Sequence, residues 1–153
     1  MSGIVCAIRG GPDSRSTIER AIALALEAGL PLHFLYVVNL DFLTLTSSSR
    51  VQTISVQMEQ MGEFILLTAQ DAAARQGVTA QGDIRHGKVR EQISALCHEI
   101  AADMVVIGAP QAGQEDNVFT QAALETFIEQ LEQETGAAVF VPGRPDKQSR
   151  GES

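Results

Sequence analysis

Arg85-His86-Gly87-Lys88 sets two fixed cations, an imidazole and a glycine at the end of a strand-like segment. Such a grouping suits contact with an anionic ligand. Polar residues at strand ends also occur for solvation alone, so both roles stand open for His86. His33 lies inside an apolar run and His98 in a helical stripe, and neither has companions at metal-ligand spacing. Both read as packing or surface residues. Cys6 and Cys97 sit singly in apolar runs, as small buried hydrophobes do, which fits a reducing cytoplasm. There is no GxSxG elbow and no GxxxxGK[ST] loop. Gly10-Gly11-Pro12 lacks dinucleotide-fingerprint spacing, and Pro12 removes a backbone donor. Ser14 and Ser16 read as turn and cap residues. With neither a nucleophile nor an isolated general base, no catalysis is expected.

The formal net charge of −8 over 153 residues argues against nucleic acid, whose phosphates need a basic face, and against an anionic membrane surface. An acidic protein can still hold a nucleotide through a local device: backbone N–H groups, a helix N-terminus or a metal ion. No apolar run approaches the roughly 18 residues of a membrane span, so no insertion is expected. The first residues, Met1 to Cys6, lack a basic segment followed by a signal-length apolar one, and a cytoplasmic location is the expectation.

The elements that must position any site alternate along the chain. Ile4 to Ile8 is a short apolar run, read as a buried strand. Gly10 to Ser14 is a turn, and a helix starts near Ser16 or Thr17 and ends at Gly29 and Pro31. Leu32 to Val38 is a second strand. Residues 39–50 read as loop, followed by a long amphipathic helix from Val51 to Gly77. Val78, Ala80, Gly82 and Ile84 alternate with polar residues as a half-buried third strand does. A helical stripe (Val89, Ile93, Leu96, Cys97, Ile100) leads to a fourth strand, Met104 to Ile107, ending at Gly108. A helix from about Phe119 to Glu134 and a fifth strand, Ala138 to Val141, complete the pattern. Its acidic residues, Glu125, Glu129, Glu132 and Glu134, read as a solvated face. No linker divides the chain: one domain spans residues 1–142, with 143–153 a polar, disordered tail.

Apolar runs buried on both faces indicate an α/β fold, a five-stranded parallel open sheet with helices on both sides. In such sheets ligands sit beyond the C-terminal strand ends, where the strand order reverses. That directs attention to Arg9–Asp13, Val37–Asp41, Arg85–Lys88 and Gly108–Asn117.

Gly87-Lys88-Val89-Arg90-Glu91-Gln92-Ile93, followed by Ile100-Ala101-Ala102-Asp103-Met104-Val105-Val106-Ile107-Gly108, resembles the universal stress protein family (UspA-like). So do the opening strand with its Gly/Ser turn, Tyr36-Val37-Val38, and the short closing strand; together they cover residue 3 to about 142. The resemblance implies a Rossmann-like sheet of the adenine nucleotide alpha hydrolase type, ordered 3-2-1-4-5. Nucleotide-binding members carry glycine, two residues, glycine, about nine residues, then glycine and Ser or Thr. Glycines let backbone N–H groups approach phosphate, and the hydroxyl adds a donor. Here Gly108 fits the first position, Gln111 stands at the second, Gly113 comes two residues late, and no Gly-Ser or Gly-Thr pair follows before the closing strand. Glu115 and Asp116 would repel phosphate unless Mg²⁺ lay between. Arg9 replaces an aspartate usual in ATP-binding relatives; it could meet phosphate or pair with Asp41, Glu115 or Asp116.

The resemblance thus implies a non-catalytic regulatory domain acting as a homodimer through Ala138–Val141, with weak or no ATP binding. A first alternative is an ATP or AMP sensor, with Mg²⁺, whose cleft is lined by Gly10, Val37, Gly108 and Gly113. A second is an accessory domain that binds a protein partner in a transporter or signalling system.

Overall fold

The computed structural model describes residues 3–8, 14–38, 48–108 and 121–141. Five strands, β1 (Ile4–Ile8), β2 (Leu32–Val38), β3 (Ala80–His86), β4 (Met104–Ile107) and β5 (Ala138–Phe140), alternate with four helices. The helices are α1 (Ser14–Ala28), α2 (Ser48–Arg75), α3 (Val89–Ile100) and α4 (Gln121–Thr135). The strands form one sheet in the order β3-β2-β1-β4-β5, and every pair is parallel. This is the order and the layering expected from the apolar runs.

Chain order and handedness distribute the helices. β2 lies on one side of β1 and β4 on the other. Right-handed crossovers stepping in opposite directions must leave opposite faces of the sheet. Accordingly α1 and α2 pack on one face, where Ile18, Ala21, Ile22, Ala25, Leu66, Ala69 and Ala73 meet Ile4, Cys6, Phe34 and Tyr36. On the other face Ile93, Leu96, Cys97, Ile128 and Leu131 meet Val5, Ala7, Leu35, Val105 and Ile107. All five residues of β1 are buried, because the central strand contributes alternate side chains to both cores.

Helix ends are set by local chemistry. Gly29 takes a left-handed backbone (φ 68°) and donates to the Ala25 carbonyl at 2.8 Å, which closes α1 where glycine has no Cβ penalty. At the end of α3 the left-handed position is instead Ala101 (φ 54°, ψ 55°).

Four boundaries differ from the sequence expectation. α1 begins at Ser14, ahead of Ser16, and α2 at Ser48, inside the expected loop. The third strand runs over Ala80–His86 instead of starting at Val78, because Val78 belongs to the close of α2: its N–H donates to the Ala73 carbonyl at 2.9 Å. The fifth strand ends at Phe140, with Val141 beyond it. The expected loop at 39–47, the helix start at Phe119 and the tail at 143–153 lie outside the described residues.

Candidate nucleotide cleft

Because all strands are parallel, the C-terminal ends of β1, β2, β3 and β4 share one edge of the sheet. The strand order reverses between β1 and β4, where Ala7 is in register with Ile107. Gly108 follows directly. A Cβ on Gly108 would stand 3.1 Å from Thr17 Oγ1 in the first turns of α1, and Thr17 is buried. The glycine therefore has a packing reason of its own: it lets the end of β4 lie against α1. Val37, the other described member of the predicted cleft set, is half-buried and packs toward the α3/α4 core, in register with Arg85. Gly10 and Gly113 lie outside the described residues, as do Arg9, Asp41, Gln111, Glu115 and Asp116.

The cationic cluster after β3 has specific partners. Successive strand residues point to opposite faces. Arg85 turns toward α3, where Nη1 and Nη2 donate to the two Glu99 carboxylate oxygens at 2.9 and 2.8 Å while Nε donates to Asp83 at 2.8 Å. Its side chain is only 19% exposed, and the carboxylates hold its pKa above the ordinary arginine range. His86 turns the other way, and its Nε2 meets the Glu59 carboxylate of α2. These two residues thus bolt the C-terminal end of β3 to the helices on either face, which gives His86 a structural role. A signal existed in Asp83, two residues from Arg85 on the same strand face; Glu59 and Glu99 carried none.

Gly87 (φ 130°) makes the turn out of β3, and its N–H donates to the Val38 carbonyl at 3.1 Å, tying the ends of β2 and β3. Lys88 is the exposed N-cap residue of α3. β3 and Gly108 are three strand spacings apart, roughly 14 Å at about 4.8 Å per strand. Lys88 and Gly108 therefore stand at opposite sides of one rim.

The remaining candidates behave as packing residues. Burial raises both thiol pKa values, that of Cys97 to about 11, so neither is a ready thiolate at neutral pH. No cluster of three His, Cys, Asp or Glu able to hold a metal occurs among the described residues. No helix among them is long and apolar enough to cross a membrane.

His33 and Glu99 carry pH dependence. Burial lowers the His33 pKa below 6.5, with Asp83 partly opposing it. The unfolded chain then takes up the proton first, so stability is full above about 6.5 and falls as pH drops through that value. Glu99 is lowered from 4.5 chiefly by the Arg85 hydrogen bond, so its contribution is present above about 4.5 and disappears on further acidification. Urea midpoints measured from pH 7.5 to 5.5 should decline for the native chain and flatten for His33→Gln. Equal slopes for the two proteins would contradict this assignment.

A doubly wound, all-parallel sheet ordered β3-β2-β1-β4-β5 defines the class: a Rossmann-like α/β protein. Within that class, residues 1–122 match the model of the universal stress protein family, and the chain belongs to that family. A universal stress protein from Burkholderia pseudomallei is 20% identical with a TM-score of 0.69, the alignment covering 93% of this chain and 96% of that one. One from Archaeoglobus fulgidus in complex with dAMP is 12% identical (TM-score 0.62; 92% and 97% covered). A family protein from Arabidopsis thaliana with AMP bound is 16% identical (TM-score 0.58; 95% and 94% covered). At such identities the likeness is one of fold. No curated protein sequence matches the chain.

Proposed function

We propose that this universal stress protein is a non-catalytic regulatory domain that works by self-association through β5 and binds adenine nucleotides weakly or not at all. The observation that carries the proposal is the commitment of the rim. Arg85 is held by two carboxylates, His86 faces a third, and Gly108 seats β4 against Thr17. The sequence of the following loop adds Gln111 and two carboxylates where a phosphate cradle needs glycine and hydroxyl donors. The complexes of structural neighbours with dAMP and AMP support the alternative, a nucleotide sensor using ATP or AMP with Mg²⁺. Lys88 would then be the described cation available to phosphate. Native mass spectrometry of gently purified protein separates the two: the bare chain mass is expected, and a stoichiometric adenine nucleotide adduct would favour the sensor.

A partner-binding role is favoured by the outer face of α2. Phe64 and Leu67 are 71% and 66% exposed, flanked by Val56 and Met61. Glu63 borders this stripe and the chain carries a net charge of −8, so the fitting occupant is an amphipathic helix with a basic rim. A fluorescent Leu/Lys amphipathic peptide should bind saturably, and Phe64→Ser with Leu67→Ser should abolish binding without lowering the melting temperature. Absence of binding by the native chain at about 1 mM, an affinity near 4 kcal/mol, would refute the role.

A further inference from the structure

β5 has three residues and, among the described residues, one neighbour, β4. Its inner side is used: the Ala138 N–H donates to the Asp103 carbonyl at 3.1 Å, on the β4 side. Backbone groups of successive residues in an extended strand point to opposite sides. Val139, and Ala137 just before the strand, therefore direct theirs away from β4. Neither outward donor is open. The Val139 N–H donates to Glu132 Oε2 at 3.1 Å, and the Ala137 N–H to Thr135 Oγ1 at 3.0 Å. Both acceptors come from the end of α4. The chain reverses at Gly136 (φ 74°), which brings that helix end back alongside the strand it precedes. An exposed strand edge is a template for adding another strand, and here its donors are taken from within the same chain.

We infer that Glu132 gates the β5 edge: a second copy of this chain adds its own β5 only when the Glu132 carboxylate releases the Val139 N–H. The inference rests on the proposed self-association through β5. A two-fold axis makes the two strands antiparallel. Centred on Val139, that arrangement has the two Val139 residues exchange both N–H···O bonds. Glu132 competes for the donor on which this exchange depends. A carboxylate is a stronger acceptor for an N–H than a neutral carbonyl. The intrachain bond therefore holds native association down. Glu134 cannot stand in for Glu132, because its carboxylate is engaged by Arg90 of α3.

The test compares the native chain with Glu132→Ala, Val139→Pro and the double variant by sedimentation equilibrium. Proline at 139 removes the outward donor without removing a bond to β4. Glu132→Ala should associate at least ten-fold more tightly than the native chain, and the double variant should lose that gain. In the monomer, amide exchange at Val139 should speed up at least ten-fold in Glu132→Ala, an effect independent of dimerisation. If Glu132→Ala associates no more tightly while Val139→Pro weakens the native dimer, the gate is wrong and the β5 dimer stands. If Val139→Pro changes the association of no protein, self-association through β5 fails, and the gate fails with it.

Discussion

Gly62→Val is expected to lower the thermal midpoint by roughly 5–10 °C, the equivalent of about 2–3 kcal/mol of overpacking in a chain of this size. Gly62 is buried in the middle of α2, and a Cβ there would stand 2.4 Å from Cδ2 of Tyr36 and 2.9 Å from Cε2 and Cγ. Tyr36 is 5% exposed, in register with Ile8 on one side and Ile84 on the other. The ring is wedged between strands and helix and has little room to yield. A glycine inside a helix costs about 1 kcal/mol in propensity relative to alanine, so Gly62→Ala recovers up to about that much while Gly62→Val recovers only a few tenths. Melting curves followed by circular dichroism decide it. An unchanged or raised midpoint for Gly62→Val would mean that α2 does not lie against Tyr36 as described.

Phe34→Ala should cost about 3–5 kcal/mol, a large share of the roughly 5–15 kcal/mol that holds a native domain together. Phe34 is fully buried in β2, opposite Cys6 of β1 and Gly82 of β3. Gly82 brings no side chain of its own to refill the space. The space over Gly82 is already taken by Leu66 and Gln70 of α2, within about 3 Å of where its Cβ would be. A urea midpoint shifted by less than the equivalent of about 1 kcal/mol would contradict the assignment of this side as the main core.

The fold was readable where burial on both faces wrote continuous apolar runs. Ile4–Ile8, Leu32–Val38 and Met104–Ile107 have the bounds their sequences suggest, because central parallel strands leave no polar positions to blur the ends. β3 was readable as a strand but not in its limits. Its ladder follows Leu32–Val38 of β2 residue by residue up to His86, and Val78, apolar and buried, serves the close of α2. Periodicity cannot separate those two uses of a valine. The start of α2 at Ser48 was hidden for a similar reason, since serines read equally as loop and as helix entry.

The site was readable in outline only. The switch point follows from strand order, and Gly108 stands where the sequence put it, yet its contact with Thr17 depends on how close α1 comes to β4. Beyond Asp83, the partners of Arg85 and His86, Glu99 and Glu59, come from α3 and α2, 14 and 27 residues away in sequence. No local pattern announces them. The acidic pattern of α4 reads as a solvated face, yet two of its carboxylates have definite partners: Glu132 on the Val139 N–H and Glu134 on Arg90. That distinction depends on the reversal at Gly136, a tertiary fact.

Titration calorimetry of the purified chain with ATP and Mg²⁺, repeated with AMP, tests the central claim most directly. The account predicts no saturable heat up to about 1 mM nucleotide, an affinity no stronger than about 4 kcal/mol. A one-to-one isotherm with micromolar affinity, diminished by substitution at Gly108 or Lys88, would contradict it and make the cleft a working nucleotide site.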